Sequence, residues 1–578
     1  LTTLAENRED STVVYEYTPR ISKDTLYQSE AQLEQKLIKM LQEQGYEYLS
    51  FNSEKELISN LRKQIENLNN IKFSDDEWER FFKSYIANGQ DSVKEKTKKI
   101  QVERRKDFTR DDGSLINVTI FDEENVHNNK LQVINQYENE GDRKTRYDVS
   151  ILVNGLPLVH VELKRRGVNL KEAFNQIDRY KRDSFWANSG LFEYIQIFVI
   201  SNGTLTKYYS NTTRQSHIND KDRRKSNTFQ FTSFWADSKN HVIRELEDFT
   251  KTFFAKHTLL NILNRYCVFT SEERLLVMRP YQIEATERIL NKIQIGHQYK
   301  QYGTIDCGGY VWHTTGSGKT LTSFKTAQLA TKLDHIDKVL FIVDRKDLDY
   351  QTMKEYDRFA KDCANSNRNI KVLERQLNDP NACIIITTIQ KLDGFIKKNN
   401  KHDIYNKEVV LMFDECHRSQ FGEMHKNIVK HFNKYYIYGF TGTPIFPQNL
   451  MVKSSLKTTE QLFGKQLHTY TIVDAVSDKN VLPFKFDYVR SMRKKDEIID
   501  EKVKDIDTEE PFIDPRRITA ITEHIINHFK QYTKHDVKYE YKQLMNVAEI
   551  AKNHAAKERL EKQTLSGYNS LFATQSIE

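Results

Sequence analysis

Cysteine is scarce in this chain of 578 residues, and its five copies, Cys267, Cys307, Cys363, Cys383 and Cys416, form no close pair. That spacing argues against a zinc site or a disulfide framework and points to a reducing compartment, the cytoplasm. Long apolar runs are missing too. The first residues, Leu1 to Asn7, show no basic region followed by an apolar stretch, and no later window approaches the length needed to span a bilayer. A soluble, intracellular protein with no membrane partner is therefore expected. Nor does one sign of charge dominate: 88 Lys and Arg against 81 Asp and Glu leave a net charge of +7. Nucleic-acid binding must then rest on local basic patches. There is no internal repeat, and only the Lys-rich stretch Asn399 to Lys407 approaches low complexity; it reads as a loop. The length exceeds what one core can organise and implies roughly three or four domains.

What is present divides along the chain. Residues up to about 240 mix helix with strand, opening with a helical run from Ser29 to Gln44 in which Ala31, Leu33, Leu37, Met40 and Leu41 recur at helical spacing. A largely helical connector follows from Phe249 to Val268. Beyond it, strands are predicted at Gly309–Trp312, Val339–Val343, Ala382–Thr387, Val409–Phe413 and Tyr435–Phe440, separated by helical stretches. That alternation implies a parallel sheet covered on both faces, with ligands at the carboxyl ends of its strands. A further sheet is expected to begin near Phe512-Ile513-Asp514, where a helix over Arg516–Gln531 starts, and a strand is suggested at Tyr568–Thr574. The absence of an initial Met and a strand so near the end suggest that the protein continues past one or both ends.

Around Asn154-Gly155 the apolar residues alternate: Val149, Ile151 and Val153 on one strand, Val159, Val161 and Leu163 on the next. For both sets to share a face, paired numbers must sum to an even value. A two-residue turn pairs Val153 with Leu156, an odd sum, so the hairpin needs a three-residue loop or a bulge, with Gly155 supplying the positive φ. Asp148, Ser150, His160, Glu162 and Lys164 then lie together on the other face. Two carboxylates there could hold a divalent metal, and Lys164 could orient or activate water beside it. Glu-x-Lys is common by chance, and taken alone it is better read as an ordinary half-exposed hairpin with a Glu/Lys face. The context adds Asn169 as a helix N-cap, then Gln176 and Tyr180 one turn apart on one helix face.

A second constellation lies downstream. His313-Thr314-Thr315-Gly316-Ser317-Gly318-Lys319-Thr320 joins a predicted strand to a helix over Leu321–Leu333. Backbone N–H groups in such a loop cradle phosphates, the Lys neutralises them and the Thr hydroxyl binds magnesium. Asp414-Glu415-Cys416-His417 follows a strand, placing Asp414 to coordinate magnesium and Glu415 to polarise the attacking water.

Asp148, Glu162-x-Lys164 and Gln176-x-x-x-Tyr180 resemble the PD-(D/E)xK nucleases, especially the RecB-like branch, with Tyr147 where that family usually has Pro. The family often adds an acidic residue from its first helix, for which Glu30 and Glu34 are both candidates. The phosphate loop resembles the superfamily 2 helicase variant, with His313 in place of the usual small residue. Gln282, in Arg279-Pro280-Tyr281-Gln282, resembles that family's adenine-reading glutamine, and Thr441-Gly442-Thr443-Pro444 its motif coupling nucleotide state to DNA contact. Asp344 to Leu348 and Thr387 to Lys391 resemble its DNA-backbone-gripping segments, and Phe463-Gly464, Tyr470-Thr471-Ile472 and Asp474-Ala475-Val476 its path into a second motor domain.

In this order the set resembles the restriction (motor) subunit of type I restriction-modification enzymes. The resemblance implies an α/β chain: an endonuclease domain over residues 1–240, a helical connector over 241–268, a first RecA-like ATPase domain over 269–465, and the link to and start of a second, truncated one over 466–578. It implies ATP and Mg2+ as cofactors, with Gln282, Thr315 to Thr320 and Asp414 at the nucleotide and Asp148, Glu162, Thr320 and Asp414 as metal ligands. Double-stranded DNA and separate modification (methyltransferase) and specificity subunits are the implied partners. No loop resembling a methyltransferase's S-adenosylmethionine site occurs, and no Gln/Arg-rich motif with an arginine finger precedes Glu578. The expectation is the front part of a longer subunit, with its nucleotide pocket open on one side. Two other classes of function compete: a repair or remodelling translocase whose N-terminal domain only binds DNA, and a nucleotide-dependent interaction module.

Overall fold

The computed structural model describes residues 11–18, 28–51, 53–140, 144–185, 188–213, 228–343, 346–359, 365–367, 369–417, 421–449, 457–479, 481, 515–546, 557 and 559–567. The strand expected at Tyr568–Thr574, the segment Phe512-Ile513-Asp514 and residues Asp344 and Arg345 lie outside them. The chain divides into two compact units, Leu1–Leu482 and Pro483–Glu578. Among the described residues no helix is long and apolar enough to cross a membrane.

The first unit holds two large sheets. Strands β1 (Glu47–Leu49), β2 (Leu131–Glu140), β3 (Lys144–Val153), β4 (Leu156–Leu163), β5 (Ile197–Ser201) and β6 (Thr206–Ser210) form a six-stranded sheet in that order. It is mixed: β1 runs parallel to β2 and β4 to β5, while the other neighbours are antiparallel. Helix α1 (Glu30–Glu43) starts in a capping box, Ser29 accepting from the Gln32 N–H and the Gln32 side chain accepting from the Ser29 N–H, and buries Leu33, Leu37 and Leu41. Helix α2 (Leu170–Asp183) is capped by Asn169, which accepts from the Lys171 N–H.

The hairpin β3–β4 contains both a tight turn and a bulge. Asn154 and Gly155 have φ of 51° and 83°, as a two-residue turn with two positive φ values requires, and Val153 does pair with Leu156. The pairing then shifts: Leu152 faces Pro157, but Ile151 faces Val159, so Leu158 has no partner on β3. From there on the sums are even and both apolar sets share a face. The other face is covered as well; Ser150, His160 and Glu162 are all buried, so this is no half-exposed hairpin.

The second sheet is parallel throughout. Strands β7 (Gly309–His313), β8 (Lys338–Val343), β9 (Asn365–Ser366), β10 (Ile384–Thr388), β11 (Glu408–Phe413), β12 (Lys434–Thr441) and β13 (Gln466–Tyr470) lie in the order β9-β10-β8-β11-β12-β7-β13. Its central strands are buried over their whole length, as apolar runs without alternation demand. Helix α3 (Pro280–Gln298), with Pro at its first turn, and helix α4 (Lys319–Ala330) pack beside each other. The seventh strand lies beyond residue 465. In chain order, helices Leu246–Thr252 and Lys256–Arg265 come between the two sheets.

The parallel sheet is also tied to the N-terminal half through a turn that lies outside the six-stranded sheet. His313, the last residue of β7, contacts His468 on β13 through Nε2 and Nδ1 at 3.0 Å, and His468 Nε2 lies 3.2 Å from the Ser238 carbonyl in the N-terminal half. Asn240 donates to the Thr469 carbonyl at 2.8 Å. In the second unit, helix α5 (Pro515–Tyr532) and an antiparallel pair, Lys538–Leu544 with Leu560–Ser566, are described.

A Cβ on Gly155 would fall 2.6 Å from the Leu61 Cα, in addition to the strain of φ 83°. Gly155→Ala should cost about 2 kcal/mol or more in urea unfolding; an unchanged midpoint would contradict this account of the turn.

Candidate active sites

The hairpin register carries Asp148 beside Glu162. The Leu163 N–H donates to Asp148 Oδ2 at 2.8 Å, fixing that carboxylate across the strands. Glu162 is fully buried, and its two oxygens face different partners: Lys164 Nζ donates to Oε1 at 2.9 Å, and His160 Nε2 lies 3.3 Å from Oε2. Lys164 also donates to the Leu163 carbonyl and stands 3.9 Å from Glu30 Oε1. Glu34 is buried on the same side, held by the side-chain amides of Asn135 and Gln136. Glu30 thus stands half-exposed beside the lysine, whereas Glu34 adds its charge to the field at Asp148.

Burial, and then the Glu162 charge, push the Asp148 carboxyl up to about 8, against the pull of the Leu163 N–H and of Lys164. Burial opposes the Lys164 ammonium, yet Glu162, Asp148 and Glu30 together hold its pKa above the ordinary lysine value. Carboxylate oxygens gathered beside one ammonium are the donor set that a hard divalent cation would accept, since it asks for a few carboxylate oxygens plus water and phosphate oxygens. Lys164 and Gln176 line one open cleft with Asn175, Asp178 and Arg179. Gln176 donates to the Tyr180 hydroxyl, which donates to the Arg146 carbonyl at 3.1 Å. Of the five motif residues, Lys164 and Gln176 thus line the cleft, Tyr180 joins it through Gln176, and Glu162 lies buried behind Lys164 with Asp148 beside it. Tyr147, where Pro is usual, is a core anchor, its hydroxyl donating to Ser184 at 2.7 Å.

The phosphate loop bridges β7 and α4. Gly316 and Gly318 have φ of 82° and 83°, and Thr315, Gly316 and Gly318 are open to solvent while Ser317 turns inward to donate to the Thr314 carbonyl. Behind the loop, Tyr281 donates to the Ser317 carbonyl at 2.7 Å and Gln282 Nε2 to the same carbonyl at 3.1 Å. Gln282 Oε1 accepts from the Arg279 N–H, so its amide ties the start of α3 to the loop. Lys319 Nζ stands 3.7 Å from Glu415 Oε1, and Asp414 Oδ1 accepts from the Glu415 N–H. Glu415 adopts φ 45°, a left-handed conformation uncommon for a residue with a side chain and one often retained at functional sites. These residues, with the partly exposed Thr320, face one another at the carboxyl edge of the sheet, with the charge and backbone geometry a nucleotide with its magnesium ion requires.

Several contributors escape sequence reasoning. His417 Nδ1 lies 2.8 Å from Thr441 Oγ1 and 3.4 Å from Glu415 Oε2, joining the two motifs quoted above. Tyr281 stacks on Tyr470 with ring centres 3.7 Å apart. His160 offered a signal, its place on the polar face of the hairpin, whereas the Asn135 and Gln136 contacts with Glu34 had none. Of the segments expected to grip DNA, Thr387 to Lys391 spans the end of β10 and the capped start of helix Ile389–Lys398, with Thr388 accepting from the Lys391 N–H.

A mixed sheet carrying a carboxylate–lysine cluster and a parallel α/β sheet carrying a phosphate loop define a two-part α/β chain. Comparison with known proteins assigns it. Residues 27–217 match the model of the type I restriction enzyme R protein N terminus, and residues 281–512 that of the SWI2/SNF2 ATPase. The Escherichia coli type I restriction enzyme EcoprrI endonuclease subunit is 50% identical over 283 residues, 49% of this chain and 88% of that protein. The Staphylococcus aureus (strain COL) SauCOLORF180P endonuclease subunit is 40% identical over 518 residues, 88% of this chain and 52% of that protein. The chain belongs to the endonuclease-subunit family of type I restriction enzymes. It spans about half the length of the Staphylococcus relatives it matches.

The raised Asp148 carboxyl has a pH signature. The folded protein keeps a proton that the unfolded chain releases near pH 4, so this group progressively destabilises the metal-free fold as pH rises from about 4 to about 8. Asp148→Asn, which keeps an acceptor for Leu163, should melt increasingly above the wild type between about pH 5 and pH 8. A constant gap in thermal midpoint would refute the assignment.

Proposed function

We propose that this chain is the ATP-dependent endonuclease and DNA-translocating subunit of a type I restriction enzyme, cleaving unmodified foreign double-stranded DNA away from its recognition site. The observation that carries the reading is the presence, in one compact unit, of a buried Asp148–Glu162–Lys164 cluster and a phosphate loop faced by Asp414 and Glu415. On this reading residues 1–240 are the endonuclease domain, 241–268 the connector, 269–465 the first RecA-like domain, whose sheet also takes in β13 just beyond, and the rest of 466–578 the passage into the second.

In the endonuclease domain, Asp148 and Glu162 hold a divalent cation, Lys164 orients the attacking water, and Gln176 and Tyr180 position the substrate strand. Mg2+ bound there would supply Lewis-acid stabilisation of charge on the scissile phosphate. In the motor, the N–H groups of Thr315 to Lys319 receive the phosphates, Lys319 neutralises them, Thr320 and Asp414 hold the nucleotide's Mg2+, and Glu415 aligns the hydrolytic water. Gln282, already docked on the loop, reports adenine to it. Sequence recognition and methylation fall to separate specificity and modification subunits, and the assembly works in the cytoplasm.

The test uses the assembled enzyme. Glu162→Ala and Lys164→Ala should each reduce plasmid cleavage by about 10²-fold or more while leaving ATP hydrolysis near wild type. Lys319→Ala should abolish both. Wild-type cutting by Glu162→Ala would remove the proposed site, and full cutting by Lys319→Ala would separate the nuclease from the motor.

A further inference from the structure

At the amino edge of the parallel sheet, opposite the phosphate loop, three potential metal ligands converge from three segments. His297 lies at the end of α3, His335 in the connection from α4 to β8, and Glu408 at the first residue of β11. His297 Nδ1 is 2.8 Å and His335 Nε2 3.8 Å from the same oxygen, Glu408 Oε1, and the two imidazoles stack with centres 3.8 Å apart. In a tetrahedral zinc site, bond lengths near 2.0–2.1 Å place ligand atoms about 3.3 Å from one another. The two observed spacings bracket that value. His335 Nε2 is buried with no hydrogen-bond partner, and it points at the cluster. A buried ring nitrogen left without a partner in this way calls for a ligand.

The carboxylate is prepared as well. Tyr436 donates to Glu408 Oε1 at 2.6 Å, and the Glu408 N–H donates to Asp337 Oδ2 at 2.8 Å, so both its side chain and its backbone are fixed. Outer partners of this sort orient metal-ligating carboxylates. His297 is partly exposed, which leaves a fourth position open to water.

We propose that His297, His335 and Glu408 bind a zinc-class transition-metal ion, with water completing the shell. The set of two imidazoles and one carboxylate selects such ions over magnesium, which prefers oxygen. This departs from the expectation of no zinc site drawn from the cysteines, because no thiolate takes part in it. The ion would staple three segments whose other ends all reach the nucleotide pocket: α3 begins at Tyr281 and Gln282, α4 begins at Lys319, and β11 leads into Asp414. Gln282 and His297 are fifteen residues apart on one helix, about 22 Å along its axis, so the staple acts on the frame of the pocket and not on the nucleotide.

The test loads the 578-residue chain with Zn2+ in excess Mg2+, desalts it, and measures bound metal by mass spectrometry. A parallel Co2+ titration reads the visible ligand-field absorption of a nitrogen and oxygen shell. The wild type should retain about one more zinc ion per chain than His297→Ala or His335→Ala, and Tyr436→Phe should bind about tenfold or more weakly. Asp148→Ala, which alters the other divalent site, should keep the difference. His297 is partly exposed, so its removal leaves the fold intact, to be checked by circular dichroism. Equal zinc in the wild type and both histidine variants, or no Co2+ band that His297→Ala removes, would overturn the proposal and leave a hydrogen-bonded His–Glu pair.

Discussion

Pro157 offers no N–H to either neighbouring strand, and one residue further on Leu158 goes unpaired against β3. That single extra residue sets the face on which everything after it lies. Without it, the two-residue turn at Asn154-Gly155 would rotate Val159, Val161 and Leu163 out of the core, and Glu162 would stand on the opposite side from Asp148. The bulge therefore couples a packing requirement to a chemical one. The side-chain volume that must be buried and the carboxylate that must meet its partner are satisfied by the same shift of register.

The cost of that arrangement is electrostatic. Glu162 is out of water entirely, and a lone buried charge would be strongly destabilising. Lys164, two residues on and on the same face, reaches back to it, and His160 closes the other oxygen. Lys164 gives its hydrogen bonds to Glu162 and to the Leu163 carbonyl, and the Asp148 carboxyl, buried beside the Glu162 charge, is correspondingly hard to ionise.

Much of this could be read along the chain, because it depends on periodicity and local spacing. The five strands expected in the parallel sheet occur within a residue or two of their places, and the parity of the hairpin followed from the alternation of Val149, Ile151, Val159 and Val161. The turn itself was harder: a two-residue loop and a bulge coexist, since the odd pairing is tolerated for just two pairs before Leu158 corrects it. What escaped depends on residues far apart in sequence. Glu34 meets Asn135 and Gln136 across about a hundred positions, and Gln136 reaches it from a left-handed backbone that no composition rule would place inside a strand. Burial of both hairpin faces was illegible for the same reason, as it requires knowing that α2 and its neighbours lie over Ser150 and His160. Near the phosphate loop, the motifs were visible one by one, but the bond from His417 to Thr441 appears only when β11 and β12 are laid side by side.

The pair His313 and His468 gives the first unit a mechanical character. Burial drives His313 well below the usual imidazole range and His468 down to about 3, so both rings favour the uncharged form. An uncharged link is indifferent to ionic strength and to protonation, the two influences that most readily loosen polar contacts between moving parts. With Asn240 bound to the Thr469 carbonyl beside it, edge strand β13, which pairs with the strand that ends in the phosphate loop, is pinned to the turn Ser238–Asn240 of the N-terminal half. A displacement of that edge strand would therefore carry the turn Ser238–Asn240 with it.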